Sequence, residues 1–124
     1  MNEVSPEGET HAWLVKDGAV EPQTLTPASF GVEPVPVSSP GILGGNPEER
    51  AALLRSVLSG EKCPLRTFLV INASCALWVA GKASDLKEAA TMAGELIDNG
   101  KALAKLDEYV AATQAAAAKR QKTA

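Results

Sequence analysis

Between Pro64 and Gly81 the chain is apolar almost all round. Phe68, Leu69, Val70, Ile71, Ala73, Cys75, Ala76, Leu77, Trp78, Val79 and Ala80 crowd the segment, and only Asn72 and Ser74 interrupt it after Thr67. A helix of this kind needs apolar cover on every face. The run is also shorter than the roughly 18 apolar residues of a membrane span. It therefore reads as a core helix, and the rest of the chain must be weighed by whether it can surround it. The neighbours offered by the sequence are one hairpin, one amphipathic helix and the C-terminal helices, which are too few. At least one face of the central helix is expected to be left uncovered.

At 124 residues and 45% hydrophobic, the chain has the size and composition of one globular unit. A net charge of −3 provides no electrostatic footprint for nucleic acid or for an anionic membrane. Cys63 and Cys75 are too few and too far apart for a zinc motif or a disulfide scaffold. With no signal peptide in the sequence, they imply a reduced, cytoplasmic protein. Asn72-Ala-Ser74 matches a glycosylation acceptor, but it lies inside the apolar helix pattern and reads as structural.

Ahead of the core helix, Glu9–Lys16 and Ala19–Thr26 are extended runs separated by Asp17-Gly18, a pair suited to a type I′ turn because both central residues take positive φ. The two-residue loop sets Val15 opposite Val20 and Trp13 opposite Pro22 on one face, with Leu14 opposite Glu21 on the other. Pro22 cannot donate to a ladder, so the second strand belongs at a sheet edge. Thr26-Pro27 starts a short helix that Gly31 ends, and residues 32–45 form a proline- and glycine-rich loop. Asn46-Pro47-Glu48-Glu49 is a helix start with a capping box, leading into an inward stripe of Ala51, Leu54 and Leu58 with Leu53 and Val57 beside it. Beyond the core helix, Ser84 is the expected cap of a helix whose inward stripe is Leu86, Ala89, Ala90, Ala93, Leu96 and Ile97, closed by Gly100. A last helix restarts at Lys101. Past Thr113 no large apolar residue remains, so residues 113–124 read as a frayed, alanine-rich basic tail on a unit formed by residues 1–112.

Candidate chemistry is sparse. His11, the only histidine, lies mid-strand without a nucleophile or acid at a diagnostic spacing, and reads as a packed or edge residue. Asn72 reads as a buried amide hydrogen-bonded to a neighbouring loop rather than a substrate contact. Gly44-Gly45-Asn46-Pro47 is the one candidate phosphate loop, but it lacks the glycine spacing and the lysine that such loops use. The cations among residues 119–122 suit the C-terminal end of a helix dipole better than a localisation signal.

Taken in order, several segments resemble the C-terminal third of anthranilate phosphoribosyltransferases. They are Asn2-Glu-Val-Ser, the hairpin, Leu25-Thr-Pro-Ala-Ser-Phe-Gly31, Leu43-Gly-Gly45, Asn72-Ala-Ser-Cys-Ala-Leu-Trp-Val-Ala-Gly-Lys82, and the helix from Asp85 into Ile97-Asp-Asn-Gly-Lys-Ala102. The likeness spans about residues 1–106. It implies an α/β fold, a partial C-terminal portion of a phosphoribosyltransferase/nucleoside-phosphorylase-like domain built as a β-hairpin followed by mainly α-helices. The family's Gly-Thr-Gly-Gly-Asp pyrophosphate loop, its Lys-His-Gly-Asn segment, its anthranilate-contacting arginine and its N-terminal helical domain have no counterpart in this sequence.

By that resemblance, the parent enzyme moves phosphoribosyl from phosphoribosyl pyrophosphate to anthranilate in tryptophan biosynthesis, with Mg2+ as cofactor, and the isolated segment is expected to be inactive. Glu3 and Asn2 stand where the family places a metal-binding Asp-Glu pair, and Asn2 replaces the first carboxylate by a neutral amide. The implied partners are the two substrates and either the missing N-terminal segment or further copies of the chain, with no nucleic acid and no membrane. The alternatives are a non-catalytic, truncated helical interaction module, or a fragment like a pyrimidine-nucleoside phosphorylase.

Overall fold

The computed structural model describes residues 3–122. It is a two-stranded antiparallel hairpin followed by helices: β1 (Thr10–Lys16), β2 (Ala19–Leu25), a 3-10 turn (Pro27–Phe30), α1 (Pro47–Leu58), α2 (Pro64–Val79), α3 (Leu86–Asp98) and α4 (Lys101–Lys122). The hairpin register is the expected one, with Val15 paired to Val20, Leu14 to Glu21 and Trp13 to Pro22. Asp17 and Gly18 take φ of 51° and 79°, the left-handed pair that the tight turn demands.

The core lies where α2 and α3 meet the 3-10 turn. Phe30, Val70, Ile71, Ala90, Ala93 and Ile97 are buried together, flanked by Val4, Leu25, Val32, Leu58, Cys75, Leu77, Leu86 and Ala102. On α3 the buried positions are mostly alanine, so the larger side chains of α2 and of the 3-10 turn fill the space between the elements. Arg66 of α2 adds a polar contact there, donating from Nη2 to the Gly94 carbonyl and to Asp98 Oδ2.

The N-terminus of α1 is capped as expected. Asn46 Oδ1 accepts from Glu49 N–H at 2.8 Å, and Glu49 Oε2 accepts from Asn46 N–H at 3.1 Å. Gly41 just upstream has φ of 86°, a left-handed backbone that favours glycine, and a Cβ on it would meet Leu53 Cδ2 at 2.5 Å, so the tip of Leu53 would have to move aside.

Two expectations are corrected. The inward face of α1 centres on Val57, which is fully buried, while Ala51 is exposed and Leu54 and Leu58 are only half-buried. The stripe is rotated because α1 packs towards α3 and α4 rather than flat on α2. The cap of α3 is Asp85, not Ser84: Asp85 Oδ1 accepts from Glu88 N–H at 2.8 Å. Ser84 donates its N–H and its hydroxyl to Glu88 Oε2, which hold that carboxyl below the usual glutamate range.

The α2 helix is covered on one side only. Val70, Ile71 and Ser74 are buried, but Ala73, Ala76 and Val79 are exposed, with Val79 at 79%. No helix among the described residues is long and apolar enough to cross a membrane. The α4 helix continues through residues 113–122, and every side chain from Ala111 to Arg120 is exposed.

Candidate functional site

The segment just before the hairpin is anchored from three directions. Asn72 of α2 accepts from Val4 N–H through Oδ1 at 2.9 Å and donates from Nδ2 to the Val4 carbonyl at 3.3 Å. Thr10 of β1 accepts from Ser5 N–H at 3.0 Å. The Pro6 carbonyl accepts from Val35 N–H at 2.7 Å, and Pro6 itself is fully buried. Ser5 turns the chain by accepting from Glu7 and Gly8 N–H through its hydroxyl, and Glu7 Oε2 accepts from Val37 N–H. This is the loop contact expected of Asn72.

Glu3 precedes that anchored stretch and is exposed. Its carboxylate is a hard oxygen donor of the kind Mg2+ takes. Asn2, the other residue of the candidate pair, lies outside the described residues. Among the described residues no three His, Cys, Asp or Glu side chains gather around one point. The donor type therefore suits a hard cation, but the chain by itself supplies at most part of a coordination sphere.

The other candidates are placed as follows. His11 is exposed on β1, opposite Thr24. At Asn46-Pro47 the amides that a phosphate would use are engaged by Asn46 and Glu49 themselves, and the Glu49 carboxylate stands where an anion would sit. Asn72 is half-buried in α2, and Ser74 is fully buried, donating to the Val70 carbonyl. Both cysteines are free thiols, and burial pushes the Cys75 thiol up, away from nucleophilic reactivity.

Two open apolar hollows accompany the uncovered side of α2. A groove of about 290 Å³ separates α1 from α2, lined by Leu53, Leu54, Leu65, Phe68 and Leu69, with Arg50 beside them. A second, of about 390 Å³, lies between the hairpin and the end of α2, against Leu14, Val15, Trp78 and Val79. Trp13 and Val20 are also largely exposed, at 66% and 62%. Contiguous apolar surface of this kind marks a face meant to be covered.

Sequence reasoning missed the Ser5–Thr10 anchor and the ion pairs of Asp98. A serine followed closely by glycine is a weak turn signal for the first. For the second, the signal was Arg66, the only charged residue in an otherwise apolar helix.

Comparisons with known proteins place these features. Residues 1–103 match the model of the glycosyl transferase family, a/b domain. An anthranilate phosphoribosyltransferase of Agrobacterium fabrum is 42% identical over 116 residues, covering 94% of this chain and 33% of the relative. One of Methanococcoides burtonii is 44% identical over 110 residues, covering 89% and 31%. Among solved structures, the chain resembles anthranilate phosphoribosyltransferase from Saccharomyces cerevisiae in complex with 4-fluoroanthranilate, with a TM-score of 0.79 at 26% identity, over 93% of this chain and 33% of that one. The chain thus spans about a third of the length of the relatives it matches. With the hairpin, the glycine-closed helices and the asparagine of the core helix all in family order, the chain belongs to the glycosyl transferase family through its a/b domain, as a C-terminal portion of the anthranilate phosphoribosyltransferase type.

Proposed function

We propose that this chain serves as the C-terminal portion of an anthranilate phosphoribosyltransferase acting in cytoplasmic tryptophan biosynthesis. The observation that carries the reading is the match of residues 1–103 to the family model, joined to relatives named anthranilate phosphoribosyltransferase. The same names weigh against the nucleoside-phosphorylase alternative and against a purely structural module.

In the reaction, the amino nitrogen of anthranilate forms a bond to the anomeric carbon of phosphoribosyl pyrophosphate. The bond from that carbon to the pyrophosphate oxygen breaks, its electron pair leaves on pyrophosphate, and the amine sheds a proton. Most of the rate in such a displacement comes from holding the two reactants in line. The role of this chain is to hold the Asn2-Glu3 segment and to complete the domain that surrounds the substrates. Glu3, with Asn2 beside it in the sequence, would supply oxygen donors of the kind that hold magnesium. Magnesium, when bound, offsets the charge that develops on the departing pyrophosphate.

The apolar side of α2 and the exposed face of the hairpin receive the segment that the relatives carry ahead of this region. Self-association through the same faces is the substitute when that segment is missing. Residues 113–120 extend α4 as a solvated tail beyond the packed unit.

A genetic experiment tests the reading. The preceding two-thirds of the Agrobacterium fabrum relative is joined to this chain and expressed in a bacterium that lacks its own anthranilate phosphoribosyltransferase. Growth without tryptophan is the expected result. A soluble fusion that does not restore growth counts against it.

A further inference from the structure

Asn72 turns both ends of its amide to one residue that lies 68 positions away. Oδ1 accepts the Val4 N–H at 2.9 Å, and Nδ2 donates to the Val4 carbonyl at 3.3 Å, so both backbone groups of Val4 are held by one side chain. Nδ2 also donates to the Phe68 carbonyl one turn back in α2 at 3.0 Å, which fixes the orientation of the amide. Among neutral side chains, only asparagine and glutamine present an acceptor and a donor side by side in this way. A polar residue in a helix otherwise selected for apolar burial costs stability unless its groups are satisfied, so its use here is tied to what it holds.

What it holds is the fixed point next to Glu3. The side chain of Val4 packs on the core, Ser5 N–H is fastened to Thr10, and Pro6 is buried. The carboxylate of Glu3 therefore projects into solvent from a backbone that is pinned one residue later. We infer that Asn72 is a positioning residue for Glu3, acting through Val4 to set where this carboxylate meets the cation and the pyrophosphate of the reaction. The inference rests on the functional reading above, in which Glu3 is a metal ligand.

The test uses the full-length form, with this chain joined to the segment its relatives carry ahead of it, and Mn2+ as the probe metal in the presence of inorganic pyrophosphate. Bound Mn2+ is read by electron paramagnetic resonance, independently of turnover. Asn72→Ser is the informative variant. Its shorter hydroxyl can bond the Phe68 carbonyl, as Ser74 bonds the Val70 carbonyl in the same helix, but it cannot span to Val4. The expected loss in Mn2+ affinity is about tenfold or more, as for partners that orient a metal ligand. Glu3→Gln gives a comparable loss, and the double variant is no weaker than the weaker single, because one residue acts through the other.

An unchanged affinity in Asn72→Ser overturns the inference. So do losses that multiply in the double variant, which mark independent sites, and so does wild-type protein that binds no Mn2+ under these conditions. Should Asn72→Ser fail to fold, Val4 amide hydrogen exchange in the wild type decides: an unprotected amide overturns the clamp, and a protected one supports it. Failure of the functional reading is separately visible as absence of phosphoribosyl transfer by the wild type, whatever the metal data show.

Discussion

Arg66 and Asp98 tie the start of α2 to the end of α3, with Arg66 Nη2 3.0 Å from Asp98 Oδ2. The guanidinium is largely buried, its side chain 13% exposed, whereas the carboxylate is half exposed and also receives Lys62 Nζ at 2.9 Å. The Lys62 hydrogen bond, and then the nearby Arg66 charge, hold the Asp98 carboxyl below the usual aspartate range.

A pH dependence of definite sign follows. A carboxyl whose folded value is depressed contributes stability above its unfolded value, and that contribution is lost as pH falls through the folded one. Here the loss begins near the ordinary aspartate value of 3.8 and continues below it. Urea midpoints of wild type and Asp98→Asn are expected to differ at pH 7 and to converge between pH 4 and the acid limit, about where carboxylates titrate. A gap that stays constant down to acid would show that the charge of Asp98 does not matter.

The two sides of α2 should respond differently to truncation. Ile71 is fully buried, so Ile71→Ala is expected to lower the unfolding free energy by about 2–5 kcal/mol. Val79 is 79% exposed, so Val79→Ala in the 124-residue chain should stay within about 0.5 kcal/mol. Chemical denaturation of both variants checks this, and equal losses would mean that the exposed side is covered in solution.

Uncovered apolar surface should also declare itself directly. The groove beside Leu65 and Phe68 and the exposed Trp13, Val15, Val20 and Val79 are expected to make the isolated chain bind a hydrophobic dye and self-associate as concentration rises. Light scattering and dye fluorescence measure this. A monodisperse monomer that melts cooperatively without binding dye would show that the chain closes its own core.

The sequence was most informative where geometry is local. The Asp17-Gly18 turn dictated the hairpin register residue by residue, and Asn46 with Glu49 announced the start of α1. Neighbouring polar residues were harder to separate: Ser84 and Asp85 both suit a cap, and which of them faces the Glu88 amide depends on how the chain enters α3. The rotation of α1 that buries Val57 instead of Ala51 is set by tertiary packing, which helical periodicity does not encode. The site was the least legible part. Glu3 could be singled out only through the family resemblance, because an acid near a chain end is ordinary, and the tie from Asn72 to Val4 joins positions 68 apart with no pattern linking them.

On the proposed function, this chain is one portion of an anthranilate phosphoribosyltransferase and acts only together with the rest of that enzyme. The most direct measurement follows the loss of anthranilate fluorescence in the presence of phosphoribosyl pyrophosphate and Mg2+, using the purified chain alone and the chain joined to the preceding two-thirds of the Agrobacterium fabrum relative. The chain alone is expected to match the no-enzyme control, and the joined protein to turn over in a magnesium-dependent manner. Turnover by the chain alone, or a folded joined protein that leaves anthranilate untouched, would contradict the account.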